Sequence, residues 1–362
     1  MSSWLSSGQL NRVQAQRDTR DINRYEALLA QALEQPLETN RPSAAEPIQP
    51  IPLTLPLDRE KVALGDRLFH DPQLSGNRSM SCASCHSNAL AGTDALPVAI
   101  GRDGKPIGLN TPTIWNSAFN FRHHWDGRID TLEAQVDAPL LHPNEMNNTW
   151  PEVIARLRQD EAYRNAFQAL YTEGIQPSSV RAAIATYERA LITPNAPFDQ
   201  YLRGDRSAIT AEEKKGYDLF KGYGCVACHQ GINLGGNVFQ RLGVMEDYFT
   251  ARGNVQPADF GRMNITGRLR DRYVFKVPSL RNIELTAPYL HDGSIETLEE
   301  SVRVMGKYQL GREIPTDDMT AIVSFLRTLT GSLPDALNTA QVAKTQVLKT
   351  AQVLKTAQVK DE

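Results

Sequence analysis

The sequence predicts a mainly α fold in which one unit occurs twice, and three observations carry that prediction. The string Cys82-Ala83-Ser84-Cys85-His86 returns as Cys225-Val226-Ala227-Cys228-His229. A longer block behind each string returns at a constant offset. Apolar residues elsewhere recur at helical spacing, and no convincing alternating run marks a strand.

Length and composition agree with such a plan. A chain of 362 residues has room for about two domains with a substantial core in each. Aromatic content of 7% and charged content of 22% describe an ordinary globular protein, and a net charge of −3 gives no sign of a nucleic-acid binder. No run of about eighteen apolar residues occurs, so no segment is expected to span a membrane. The opening Met1-Ser2-Ser3-Trp4 has neither the basic nor the apolar region of a secretory signal, so a signal peptide is not expected in this chain.

Taken in order, the elements divide the chain into four parts. In 1–56, Ile22, Tyr25, Leu28, Leu29, Ala32 and Leu33 predict an amphipathic helix over 18–33. Pro42, Pro47, Pro50, Pro52 and Pro56 then make 41–56 an extended connector rather than a packed element. In 57–205, the stretch from Asp58 to Phe69 reads as a helix leading to the first cysteine string, and Val180, Ala183, Ile184, Tyr187, Ala190 and Leu191 share a helical face. In 206–331, Thr210-Ala211-Glu212-Glu213 is a capping box opening a helix toward the second string. Both leading helices end in Leu-Phe. Ile322, Val323, Phe325, Leu326 and Leu329 predict a last helix stopping at Gly331. In 332–362 the repeated Thr-Ala-Gln-Val-Leu-Lys carries Val342, Val347, Val353 and Val359 around the helix rather than along one face, which predicts a flexible or weakly helical appendage over a docking tail.

The two cysteine strings carry the chemistry. In C-x-x-C-H two thiols can add to the two vinyl groups of a haem, and the next imidazole is placed to ligate its iron. Two strings use all four cysteines of the chain. A zinc site is the competing use, but a histidine directly after the second cysteine fits the usual zinc spacings poorly. The sequence therefore predicts two covalently bound haem c groups, held by Cys82, Cys85 and His86 and by Cys225, Cys228 and His229.

The duplicated block separates the two irons. Pro112 aligns with Pro278 and Trp125-Asp126-Gly127 with His291-Asp292-Gly293, both at an offset of 166 residues. The same offset sets Met305 opposite Pro139 and Ser301 opposite Gln135. A thioether completes a six-coordinate haem and raises its potential, whereas a proline side chain offers no ligand atom. One haem is thus expected closed by Met305 and one open. A packing role is the alternative for Met305, and Met245 and Met263 are rival ligands without a repeat argument. Beside Pro139 stand Gln135 and Glu145. A carboxylate there could move the proton of a bound peroxide, although a glutamate next to Asn144 could also be a first-turn helix residue favouring the dipole.

Joined together, these strings resemble the bacterial di-haem cytochrome c peroxidases, from about Leu57 to Gly331. The likeness is carried by Cys82 to His86, Gly92-Thr93-Asp94, Trp125-Asp126-Gly127-Arg128, Gly222 to His229, Phe275 to Asn282 and Ala287 to Gly293. The resemblance implies two cytochrome c-like haem domains related by internal duplication, a peroxidatic one over 57–205 and an electron-transfer one over 206–331. It implies that His86 ligates the low-potential haem, that His229 and Met305 ligate the high-potential one, that Glu145 and Gln135 are the distal acid-base and orienting residues, and that Trp125 bridges the haems. It further implies a calcium ion held by Asn110, Thr286 and Pro288, since hard oxygen donors suit calcium. The implied partners are hydrogen peroxide and a small electron donor such as cytochrome c or a cupredoxin. A homodimer is an assembly the resemblance admits, and its implied location is the periplasm or cell surface.

One residue departs from the pattern. Where many members carry a histidine that caps the resting peroxidatic iron, this chain has Arg102, which stays protonated and is no haem ligand. His123 and His124 are nearby, with packing or hydrogen bonding as their first expected roles. Two other functions compete: a pure electron-transfer di-haem cytochrome, and a protein-modifying oxidase like the methylamine-dehydrogenase maturation enzyme. The latter has Tyr in place of Met on the second haem, a role for which Tyr289 and Tyr308 are the candidates.

Overall fold

In the computed structural model, residues 46–334 and Leu337 are described. The helix expected over 18–33 and the valine repeats of the tail lie outside the described residues. The described chain is mostly helical.

Helix α1, Arg59–Phe69, begins at Asp58, whose carboxylate accepts from the amides of Glu60 and Lys61. After the first cysteine string the chain runs in short turns to α2, Leu132–Gln135, and α3, Asp137–Leu141. A turn containing Glu145 then leads to α4, Trp150–Gln159, and α5, Glu161–Leu170. Helix α6, Pro177–Ala190, lays its apolar face on α1. Gly65 makes this crossing close, because a Cβ there would run into Ala183 O and the Tyr187 side chain.

The arrangement recurs behind α7, Pro197–Leu202. Helix α8, Ala211–Gly222, starts on the expected capping box between Thr210 and Glu213. It crosses α12, Thr316–Arg327, at Gly216, where a Cβ would meet Ala321 O. Between them come α9, Tyr248–Arg252, α10, Met263–Thr266, and α11, Leu298–Val304, which continues into a π-helical turn over Met305–Gln309. Leu64, Leu68, Phe69, Val180 and Ile184 centre one hydrophobic cluster, with Cys82 at its edge. Tyr217, Phe220, Phe325, Leu326 and Leu329 centre another, with Cys225 at its edge.

A detailed turn also occurs twice. Asn116 and Asn282 are left-handed at φ 60 and 58, and His124 and Leu290 at φ 65 and 69. His123 bridges Ile129 as Tyr289 bridges Ile295. Thr131 and Thr297 cap the helices that follow by accepting from the amides of Ala134 and Glu300.

Three expectations need correction. From residue 46 on, the connector is extended but packed, for Ile48 and Ile51 are fully buried. Its prolines forbid regular structure, yet Ile48 and Ile51 among them still find a core, while Leu53 stays exposed. A small antiparallel sheet exists, β1 Phe239–Arg241 with β2 Val274–Lys276, too short for an alternating pattern to show. Helix α12 ends before Gly331, which instead allows close approach to Thr193 O.

Candidate functional site

Each cysteine string folds as a 3₁₀ turn, Cys82–Ser84 and Cys225–Ala227, that closes on its histidine. The amides of His86 and His229 both donate to the carbonyl of the string's first cysteine at 3.0 Å. Nδ1 of His86 lies 3.0 Å from Gly92 O, and Nδ1 of His229 lies 3.0 Å from Leu234 O. A carbonyl at Nδ1 holds the proton there and leaves Nε2 free as a ligand atom. Burial lowers the pKa of His86 and pushes that of His229 down to about 4, so both rings are neutral and ready to coordinate.

The four cysteines are free of disulfides. Burial pushes Cys82 up to about 12 and Cys85 and Cys225 up to about 11, so without a bound group these three are thiols. A continuous cavity of about 740 Å³ runs past both strings, lined by Cys82, Cys85 and His86 in one half and by Cys225, Cys228 and His229 in the other. Paired thiols, an oriented neutral imidazole and an adjoining apolar cavity suit a covalent haem at each string.

Met305 and Pro139 both line this cavity, and so do Gln135, Glu145 and Trp125. Met305 opens the π-helical turn, so a widened helix presents the thioether. Glu145 sits in a turn rather than in a helical first turn, which removes the dipole role as its reason for being there. Burial raises its pKa above the ordinary glutamate value, opposed by His142 and Arg128. Its Oε1 lies 3.4 Å from His142 Nδ1.

Trp125 is fixed at both ends. Its indole nitrogen donates to Asn110 O at 2.9 Å, and its carbonyl accepts from the Lys276 amide at 2.8 Å. Asn110, Thr286 and Pro288 line the same cavity. Nδ2 of Asn110 donates to Leu96 O at 2.9 Å, which leaves Oδ1 as the hard donor of that side chain. Arg102 is exposed, with its amide donating to Asn144 O at 3.0 Å, and it is absent from the cavity lining. His123 and His124 do line it, and burial pushes their pKa values down to about 3 and about 4.

Three further groups were not singled out by the sequence. Glu188 is buried in the cavity wall, its Oε2 without a hydrogen-bond partner and its pKa pushed up to about 8 by burial. Its signal was position, since Glu188 lies four residues after Ile184 and so extends that apolar face. Lys276 is also buried in the wall, and burial pushes it down to about 8. Asp259, His291 and Asp292 are the one group of three candidate metal ligands among the described residues, but Arg252 already pairs with both aspartates.

Comparison with known proteins places this geometry in a family. Residues 59–207 match the model of the di-haem cytochrome c peroxidase family. Cytochrome c peroxidase Ccp of Escherichia coli K12 is 47% identical over 287 residues, which cover 79% of this chain and 61% of that protein. Cytochrome c551 peroxidase of Nitrosomonas europaea is 43% identical over 297 residues, covering 81% of this chain and 86% of the relative. A crystal structure of a MauG-like protein associated with microbial copper homeostasis superimposes with a TM-score of 0.70 at 31% identity, covering 81% of this chain and 95% of its own. This chain thus spans only about three fifths of its Escherichia coli relative, yet it covers most of the Nitrosomonas protein. Two oriented haem-attachment strings on one cavity, matched along most of the chain by such relatives, make it a member of the di-haem cytochrome c peroxidase family.

Proposed function

We propose that this protein reduces hydrogen peroxide to water, using electrons from a small redox protein such as a cytochrome c or a cupredoxin. The observation that carries the reading is the asymmetry of the shared cavity: Met305 on its lining packs with the cluster of Cys225, while Pro139, Gln135 and Glu145 on its lining adjoin Leu140, Val136 and Met146 of the cluster of Cys82. Cys82, Cys85 and His86 would hold the peroxidatic haem, and Cys225, Cys228, His229 and Met305 the electron-entry haem. Bound there, the pair supplies the two electrons and the iron at which the peroxide bond is cleaved.

The side chains supply the rest. Glu145 takes the proton from one peroxide oxygen and returns it to the departing one, a role favoured by its raised pKa. Gln135 orients the peroxide. Trp125, held on Asn110 O and lining the cavity shared by both strings, would carry electrons between the haems. With two electrons and two further protons, one peroxide leaves as two waters.

The recurring turn and the paired glycine crossings support two haem domains, over 57–205 and 206–331, that descend from one unit. Calcium would bind Oδ1 of Asn110 with the carbonyl oxygens of Thr286 and Pro288. Haem attachment of this type in bacteria implies the periplasm or the cell surface. The alternative of a protein-modifying oxidase draws on the MauG-like neighbour. Against it, the Tyr289 hydroxyl already donates to Ile283 O at 3.1 Å, and Tyr308 packs on Tyr248 and does not line the cavity. Steady-state peroxide turnover with reduced cytochrome c tests the proposal. Absent turnover in a protein carrying both haems would leave the electron-transfer reading.

A further inference from the structure

We infer that His124 is a positioning residue for Gln135, setting which end of that amide faces the open haem site. The inference rests on the reading of Gln135 given above. His124 Nε2 and Gln135 Oε1 are both sealed from solvent, and neither has a hydrogen-bond partner at ordinary distance. Both side chains line the same cavity wall, and the Gln135 amide stands near enough to act on the imidazole. A buried donor and a buried acceptor left open side by side satisfy each other with a small adjustment, at far less cost than leaving both unpaired.

The bond fixes the amide. With Oε1 turned to His124 Nε2–H, the NH₂ end of Gln135 is the one left to the cavity that the residue lines. A peroxide oxygen there meets a donor. Without His124 the amide is free to turn over and present an acceptor instead.

The second copy of the turn shows that packing does not demand a histidine. Leu290 holds the matching position, with the same left-handed backbone, and packs against the second cluster. On that side the cavity is lined by Met305, and Ser301 stands where Gln135 would be. The imidazole and the amide occur together, on the side that has a proline in place of the methionine.

Fluoride binding to the ferric holoprotein is the test, since bound fluoride senses the donors that face it. His124→Leu, which places in this turn the residue its copy tolerates, is expected to weaken fluoride about tenfold while the optical spectra keep both haems. His124→Asn retains a side-chain N–H and suits a left-handed backbone, so it should recover part of the loss. In a Gln135→Leu background, His124→Leu should change nothing further. Equal affinities for the native protein and His124→Leu overturn the inference, as does an undiminished loss in the Gln135→Leu background. A native protein that takes up no fluoride overturns the open-site reading itself, and this inference with it.

Discussion

Arg281 and Asp199 form an ion pair with neither side chain exposed, Nη1 standing 2.7 Å from Oδ1. The same guanidinium donates to Ile232 O and to Gln49 O, each at 2.9 Å, and Asp199 also accepts from the Ile51 amide. One buried charge thus ties the connector to the second half. Arg281→Met should remove the direct partner of Asp199, leaving it only the more distant charge of Arg203, and cost about 3 kcal/mol in denaturant unfolding. A change below about 1 kcal/mol would mean that Arg203 suffices to hold the aspartate or that the aspartate is neutral in the native state.

Glu145→Gln should keep both haems and lose about a hundredfold in peroxide turnover. As the base, Glu145 must be deprotonated, and its pKa lies above the ordinary glutamate value. Activity should therefore fall as the pH drops through a midpoint above the usual carboxylate range, and that limb should vanish in Glu145→Gln. A pH–rate profile on both proteins checks it.

Met305→His should lower the potential of the second haem, by an amount on the order of tenths of a volt within the roughly 0.8 V that axial ligands span. Spectroelectrochemical titration reads the shift, and stopped-flow mixing with reduced cytochrome c should show slower electron entry. An unmoved potential would assign the ligand elsewhere, but not to the rival methionines, since Met245 is exposed and neither it nor Met263 lines the cavity.

The first haem should be five-coordinate or water-bound in the fully oxidised protein. Arg102 lies outside the cavity and Pro139 carries no ligand atom, so neither completes the iron. Electron paramagnetic resonance should give a high-spin ferric signal, and peroxide turnover should start without a lag. Two low-spin haems and a lag would show a substitute ligand from His123 or His124.

Local pattern made much of this legible. The cysteine strings, the capping box at Thr210 and the 166-residue offset are short-range or repeated signals, and the offset reappears as paired left-handed turns. What the sequence concealed depends on distant contacts. The burial of Ile48 and Ile51 needs partners such as Asp199 and Gly231, far along the chain. Glu188 was hidden because a helix face reads as apolar until one knows which cavity it borders. The turn at Glu145 escaped because Asn144 and Glu145 also suit a helix start.

Ile48 precedes the first cysteine string, yet it belongs to the hydrophobic cluster of the second half. Leu333 follows α12, yet it belongs to the cluster of the first. The chain passes between them at Gly331, whose amide donates to Asn282 Oδ1 at 2.9 Å. Each half is therefore closed by a segment encoded at the opposite end of the other. Scission near residue 205 would yield two fragments, each missing a plug that the other retains, so neither core would be complete until the two associate. In chain order the core beside Cys82 is the last to be complete, because Leu333 follows the whole second half.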